Sequence, residues 1–237
     1  MISVVIPAYN EEKNIAQCLN AFTRQTTKKK FEIILVNNTS TDETRTIAET
    51  YTNKVVLRII SDPVKGRGHA RSTGFSHADG NIILSSDADA IVPNNWIEKL
   101  STALSERPKA VAVTGTCFIN DCSPATNFLF NHFQPLFMRI YRLIFGHYWL
   151  SGFSFGILKD AYVKSGGFDP ALNVQEDIDL SFKVTKIGKI LFLPNIPVLF
   201  SGRRFQYGFF KGLRPYFKTF FQWRWRSNKN VDLSDPR

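Results

Sequence analysis

The chain has 237 residues, of which 43% are hydrophobic and 21% charged, a composition that predicts one globular domain rather than a disordered or fibrous chain. Cys18, Cys117 and Cys122 form no CxxC pair and leave one thiol over in any pairing, so we expect a reducing compartment. There is no run of about 18 uncharged apolar residues and no signal-peptide pattern, and we therefore expect a cytoplasmic protein without a membrane span. The net charge of +10 favours negatively charged partners.

Apolar runs and helical patterns alternate through the first half of the chain. The pattern predicts strands at 2–6, 31–36, 55–60 and 81–86, and helices at about 11–24, at 42–51 and after the glycine-rich loop 65–68. Asn10 and either Thr41 or Asp42 are predicted to cap the first two helices. Such alternation indicates βαβ units, so the predicted fold class is α/β, with a mostly parallel sheet of the nucleotide-binding type flanked by helices.

The second half is less regular. A strand is predicted at 110–117, a long aromatic helix within 125–150, a strand or loop at 152–158 and a turn at 166–170. A further helix opens at Glu176, and we expect its Ile178, Phe182 and Ile187 to face the core. The acidic residues in its first turn have an ordinary explanation too, because the helix dipole favours negative charge there.

Asp87 and Asp89 follow a short apolar strand and enter a loop with one residue between them. An unpaired buried carboxylate is costly, so a cation should accompany this pair. Ligands of open α/β sheets bind beyond the carboxyl ends of strands, and Mg²⁺ or Mn²⁺ is commonly held there by one or two carboxylates plus substrate phosphates. A solvated acidic turn is the alternative for an isolated pair with this spacing.

Two other kinds of nucleotide site are disfavoured by the glycine pattern. The first βα turn, residues 7–10, lacks the glycines that allow a dinucleotide pyrophosphate to approach, and Arg71 stands where a third glycine would follow Gly66 and Gly68. No G-x-x-x-x-G-K-[ST] loop is present. Phosphate binding would therefore depend on a metal ion and on arginine side chains.

Six short motifs occur in an informative order. They are residues 4–11 (VVIPAYNE), 36–44 (VNNTSTDET), 68–74 (GHARSTG), 87–89 (DAD), 166–169 (GGFD) and 176–177 (ED). Together they resemble the family 2 inverting glycosyltransferases of the GT-A fold, and the resemblance extends from residue 1 to about residue 200. It implies a GT-A glycosyltransferase domain at 1–200, followed by a separate basic and aromatic segment at 201–237.

The resemblance implies a nucleotide diphospho-sugar donor, by default a UDP-sugar. The implied donor-binding residues are Pro7, Ala8, Tyr9, Glu11, Asn37, Asn38, Arg67, Arg71, Asp87 and Ala88. The base would lie between the turn at 7–9 and the loop at 37–38, with Asp87 near the ribose, and Arg67 and Arg71 near the diphosphate or the base loop. The family usually carries acidic residues at positions 37 and 38, so the donor base stays open, and Asn38 is also a common turn former.

The resemblance also implies the catalytic groups. Asp89 would ligate a Mn²⁺ or Mg²⁺ ion that bridges the diphosphate and neutralises the leaving nucleotide. Asp177 would be the general base that removes the proton of the acceptor hydroxyl, a role worth about 10²–10⁴ in rate. Glu176 would orient the acceptor. Attack from the face opposite the leaving group would invert the anomeric configuration.

Residues 201–230 contain eight Lys or Arg, ten aromatic residues and no acid. A basic, aromatic, amphipathic stretch is typical of a helix that lies on an anionic membrane surface. Packing on the domain and nucleic-acid binding use the same features, but we expect no nucleic acid. We therefore expect an acceptor that is lipid-linked or a cell-envelope glycan, and an enzyme at the inner face of the cell membrane.

Two competing functions use the same fold or ligand. A nucleotidyltransferase would need a lysine-rich loop near the N-terminus, which residues 7–12 do not supply. A non-catalytic nucleotide-sugar or membrane-surface binding module derived from this fold is the closer alternative. The presence of both Asp89 and Asp177 favours an enzyme, because a binding module needs no general base.

Overall fold

The computed structural model describes residues 1–226, with side chains described through Arg224, and an eight-stranded sheet forms its centre. The strands are β1 (Ile2–Ala8), β2 (Phe31–Asn38), β3 (Leu57–Asp62), β4 (Ile82–Ser85), β5 (Ala90–Ile91), β6 (Ala110–Phe118), β7 (Phe155–Leu158) and β8 (Lys189–Phe200). The helices are α1 (Ile15–Thr23), α2 (Thr44–Glu49), α3 (Arg67–Ser76), α4 (Trp96–Ser105), α5 (Pro124–Phe145), α6 (Lys159–Lys164), α7 (Glu176–Val184) and α8 (Phe209–Arg226). A 3₁₀ turn, Arg203–Phe205, connects β8 to α8.

The amino-terminal half of the sheet is parallel, in the order β3-β2-β1-β4. Helices cover both faces, so a central strand such as β1 is a continuous apolar run in which Val4, Val5 and Ile6 are fully buried. The prediction of four strands in this half is confirmed. β2 continues to Asn38, however, and β3 lies two residues later than predicted.

The predicted cap at Asn10 is wrong. α1 begins at Ile15, and Asn10 adopts a positive φ of 50° in the loop after β1. Its side-chain oxygen accepts a hydrogen bond of 2.9 Å from the backbone N–H of Thr41. Asn10 therefore joins the loops that follow β1 and β2, because its short amide tolerates the left-handed conformation and reaches a neighbouring backbone.

β7 runs antiparallel between β4 and β6 and makes the sheet continuous across both halves of the chain. β8 is parallel to β6, and its end pairs with the two-residue strand β5, which the sequence did not predict. Apolar side chains of α1 and α4 pack on one face of the sheet, and those of α3, α6 and α7 on the other. This arrangement confirms the predicted α/β class.

α7 presents a different face to the core from the one predicted. Leu180 and Val184 are fully buried, and Glu176, one turn earlier, is only 5% exposed. Ile178 and Phe182 are half-buried, while Ile187 lies beyond the helix and is exposed. The prediction was wrong because Glu176 turns inward to the buried Arg71, which places Leu180 and Val184 on the inward face.

The basic and aromatic segment begins as helix α8, which packs on α5 through aromatic rings. The ring centroids of Phe137 and Phe217 are 5.6 Å apart, and those of Phe145 and Phe220 are 5.8 Å apart. Among residues 1–226, no helix combines the length and the apolar character needed to cross a bilayer. Lys229, which contributes to the charge of this segment, lies outside the described residues.

Candidate active site

The carboxyl ends of β1, β2 and β4 lie side by side, since β1 pairs in parallel with both neighbours. The loops that follow bring most of the implied donor-binding residues to this edge. Pro7 and Tyr9 are half-buried at the end of β1, and Ala8 and Ala88 are buried among apolar side chains. The two alanines therefore belong to the apolar core beneath this edge, and they present no side-chain polar group to a ligand.

Arg71 connects the two acidic motifs. Its guanidinium donates to Asp87 Oδ1 at 2.6 Å and to Glu176 Oε1 at 3.1 Å, and further bonds reach Ser85 Oγ and the carbonyl of Gly152. The side chain is only 4% exposed. Arg71 therefore neutralises and orients two carboxylates inside the protein, and its implied role near the diphosphate or the base loop stays a prediction. A planar guanidinium with five donors suits that position.

Asp177 is held by the backbone. Its Oδ2 accepts a 2.9 Å hydrogen bond from the N–H of Gly152, and its Oδ1 accepts one of 2.8 Å from the N–H of Ile178. A Cβ at position 152 would collide with the Arg71 guanidinium, so only glycine permits this close approach. Segment 150–152 is fixed in turn, because the N–H of Leu150 donates to Ser181 Oγ at 2.7 Å.

Burial raises the pKa of Asp177 to about 7, with the charge of Glu176 adding to the rise and that of Arg71 opposing it. A carboxyl group in this range can be ionised at neutral pH and still accept a proton effectively. The residue before the motif, Gln175, has a positive φ of 62°. Left-handed backbone at a non-glycine residue is costly and concentrates at functional sites.

Unpaired polar atoms occur on the segments next to Asp177. Within the described residues, the buried Tyr141 hydroxyl, Ser151 Oγ and Gln175 Oε1 have no hydrogen-bond partner. Burial raises the pKa of Tyr141, and the charge of Asp177 adds to that rise, so the two side chains are electrostatic neighbours. Buried polar groups are normally paired, so these three unpaired atoms mark the region as a candidate ligand site.

Asp89 lies beside a second arginine. Arg203 Nη2 is 2.7 Å from Asp89 Oδ2 and 3.0 Å from Glu11 Oε1, and both acidic side chains are almost fully buried. Burial raises the pKa of Asp89 to about 7, although the charge of Arg203 opposes the rise. A side chain from the 3₁₀ turn thus supplies a positive charge to Asp89 in this structure. Sequence analysis missed it because it counted Arg203 with the charges of the C-terminal segment.

The two asparagines at the end of β2 have different roles. Asn38 is buried, and its amide donates to the carbonyl of Val64 at 2.7 Å and accepts from the N–H of Gly66 at 2.9 Å. Asn38 therefore holds the loop before α3, as its alternative role of turn former predicts, and its implied contact with the donor base stays a prediction. Asn37 Oδ1 is buried without a hydrogen-bond partner among the described residues.

Two basic side chains lie on the loop before α3 and at the start of that helix. Lys65 Nζ lies 4.3 Å from the centre of the Tyr9 ring and donates to its hydroxyl at 3.0 Å. Arg67 is half-buried at the first position of α3. Positive charge and helix N–H groups at this end suit an anionic ligand.

The residues present supply only some of the ligands that a hard divalent cation needs. In the described part of the chain, no group of three or more His, Cys, Asp or Glu side chains could hold a metal ion. Asp89 and Glu11 supply carboxylate oxygens at one point, and Asp87 is engaged by Arg71. One or two carboxylates completed by substrate phosphates is the usual arrangement for Mg²⁺ and Mn²⁺, so the donor set fits.

Comparison with known proteins identifies the family. The model of the glycosyl transferase family 2 matches residues 3–162, which is more than half of the chain. The chain belongs to glycosyl transferase family 2. Glycosyltransferase AglE of Haloferax volcanii is 39% identical over 109 residues, which cover 44% of this chain and 35% of AglE. The chain therefore spans about a third of the length of this curated relative.

Solved structures share the fold of this family 2 chain. Mannosyltransferase PcManGT from Pyrobaculum calidifontis, in complex with GDP-Man and Mn²⁺, superimposes with a TM-score of 0.65 at 21% identity and covers 84% of this chain and 56% of its own. S. aureus TarS 1–349, in complex with UDP-GlcNAc, superimposes with a TM-score of 0.68 at 20% identity. The match covers 98% of this chain and 68% of the TarS chain. The GT-A architecture expected from the motifs is thereby confirmed.

Proposed function

We propose that this family 2 chain is an inverting, metal-assisted glycosyltransferase that moves a sugar from a nucleotide diphospho-sugar to an acceptor hydroxyl. The observation that carries the proposal is the ion-pair chain from Asp87 through Arg71 to Glu176, which brings the DAD and ED motifs to the same edge of the sheet. A binding module would not need a carboxyl group such as Asp177, whose pKa lies in the range of a general base.

The proposed reaction uses few groups of the chain. Asp177 accepts the proton of the acceptor hydroxyl while the hydroxyl oxygen bonds to the anomeric carbon. The bond between that carbon and the diphosphate oxygen breaks, and the nucleoside diphosphate leaves with the electron pair. A Mn²⁺ or Mg²⁺ ion held by Asp89, with Glu11 beside it, would supply positive charge to the diphosphate. Attack opposite the leaving group inverts the anomeric centre.

The donor end of the proposed site is open to more than one base. Asn37 can accept from or donate to a base edge, so it suits uracil without requiring it. UDP is the default, and the complexes of the two similar structures carry one uridine and one guanosine donor. Tyr141, Ser151 and Gln175 are the proposed contacts of the acceptor, because each has an unpaired buried polar atom on a segment next to Asp177.

A thermal-shift comparison tests the donor and metal site. UDP, GDP or dTDP with Mn²⁺ is expected to stabilise the protein, and a ligand at 100 times its Kd adds about 2.7 kcal/mol. Asp89→Asn is expected to abolish the part of the shift that depends on Mn²⁺. Glu106→Gln, an exposed carboxyl group outside the site, is the control and should keep it. The donor site is wrong if none of the three nucleotides stabilises the unchanged protein with metal present.

The acceptor is proposed to be lipid-linked or a cell-envelope glycan, reached from the inner face of an anionic membrane. Helices α5 and α8 contain no acidic residue, and both expose apolar side chains. The most exposed apolar residues are Phe128, Leu143 and Ile144 on α5, and Phe210 and Phe221 on α8. Exposed cations on the same helices are Arg139, Arg142, Lys211, Arg214 and Lys218. Apolar side chains bordered by cations suit the headgroup region of an anionic bilayer.

Vesicle flotation measures this interaction. The full chain is expected to float with phosphatidylglycerol vesicles at low salt and to be released by high salt. Leu143→Ser with Phe210→Ser should lower the partition coefficient about tenfold or more, because two large apolar side chains are lost from the surface. Val56→Ser with Val163→Ser removes comparably exposed apolar residues elsewhere and should leave flotation unchanged. Absence of flotation at low salt would rule out the membrane partner.

A further inference from the structure

Arg203 shares its guanidinium between two buried acids that the donor site needs. The side chain is 21% exposed, whereas those of Glu11 and Asp89 are 6% and 5% exposed. Two carboxylates this deeply buried require a counter-charge, and Arg203 supplies it from the far end of the sheet, after β8. The ion pair with Asp89 uses Oδ2, one of only two oxygens that this carboxylate can offer to a metal.

The backbone around Arg203 is fixed by its neighbours. Only the side chain of Arg203 can therefore move from one binding partner to another. The N–H of Gly202 donates to Asp121 Oδ1 at 2.9 Å. Phe205 is buried, and its ring lies 4.8 Å from that of Phe130. Arginine has several rotatable bonds between this anchored backbone and its guanidinium, so the charged end can shift while the turn stays in place.

We propose that Arg203 is the resident counter-ion of Asp89 in the donor-free enzyme, and that it transfers to the donor diphosphate when a divalent cation takes Asp89. The proposal rests on the proposed function and adds a positioning residue to it. A metal ion and a guanidinium repel each other at one carboxylate oxygen, so the two cannot occupy Oδ2 together. A guanidinium forms bidentate bonds with phosphate oxygens, and Glu11 can remain its second partner.

The test separates metal binding from nucleotide binding. Mn²⁺ affinity without nucleotide is measured by calorimetry or by the electron paramagnetic resonance signal of free Mn²⁺, and UDP affinity is measured at saturating Mn²⁺. Arg203→Gln is expected to tighten Mn²⁺ binding by about tenfold and to weaken UDP binding by about tenfold, since one charged contact is lost in each state. The adjacent Arg204→Gln is the matched control and should change neither affinity.

A second variant separates the effect of losing the charge of Arg203 from the effect of misfolding. Arg203→Lys keeps the charge, so its Mn²⁺ affinity should match that of the unchanged protein, while its UDP affinity falls because lysine cannot bind bidentately. Unchanged or weaker Mn²⁺ binding in Arg203→Gln would overturn the counter-ion role, and unchanged UDP binding would overturn the transfer to the diphosphate. If the unchanged protein binds neither Mn²⁺ nor any nucleoside diphosphate, the proposed function itself is wrong.

Discussion

Asp177→Asn is expected to lower the rate of sugar transfer by about 10²–10⁴-fold, because the acceptor hydroxyl would lose its general base. The amide keeps an oxygen for the N–H of Gly152, so the fold and the donor site should persist. Transfer is measured as release of nucleoside diphosphate, and donor binding as a thermal shift. Asp179→Asn, on the same helix and paired with Lys183, is the control and should stay within a few-fold of the unchanged enzyme.

The same carboxyl group sets an expected pH dependence. Its pKa is raised to about 7, so Asp177 is protonated and inactive as a base at lower pH, and the rate should rise as pH increases through about 7. Glu176→Gln removes a negative charge that contributes to the raised pKa, so the midpoint of the rise should move to lower pH. A rate for Asp177→Asn close to that of the unchanged enzyme, with the same pH profile, would exclude Asp177 as the base.

Arg71→Met is expected to lower the free energy of unfolding by about 3–5 kcal/mol, because it removes one partner of a buried ion pair. Glu176 would be left buried without its counter-charge, and Asp87 and Ser85 would each lose a 2.6 Å hydrogen bond. Urea denaturation followed by circular dichroism measures the change. The control is Arg45→Met, whose ion pair with Glu49 is half exposed on α2 and should contribute well under 1 kcal/mol.

A double variant shows whether the loss comes from the unpaired charge. Arg71→Met combined with Glu176→Gln should be destabilised by less than the sum of the two single changes, because the neutral amide no longer needs a cation. Additive losses, or a loss below 1 kcal/mol for Arg71→Met alone, would mean that the ion-pair chain does not hold the site together.

The sequence predicted the features that depend on local pattern. The strands of the parallel half are continuous apolar runs, so their positions were correct within two residues, and the DAD motif follows β4 as expected. The two-residue strand β5 was missed because two residues carry no periodicity, and it forms only by pairing with β8. The order of the motifs also gave the family, which the match over residues 3–162 confirms.

The parts that could not be predicted depend on contacts between distant residues. The resemblance implies that Arg71 lies near the diphosphate or the base loop, and it does not show that the charge is used by Asp87 and Glu176. Burial of Glu176 in turn rotated the inward face of α7 away from Ile178 and Phe182. Arg203 was read as part of a surface charge, and only the fold brings it to Asp89. In each case an ion pair between residues far apart in the sequence decided the outcome, and sequence spacing contains no such information.

The position of Gly152 limits which parts of this chain can change in sequence or length. Its carbonyl accepts from Arg71 and its N–H donates to Asp177, so main-chain atoms of one residue set the distance between these two side chains. Main-chain atoms are common to all amino acids, and here no side chain exists that a substitution could retune. Insertions or deletions in the stretch between α5 and β7 would shift both contacts together. Changes of substrate would therefore arise in the other loops, while the distance between Arg71 and Asp177 stays constant.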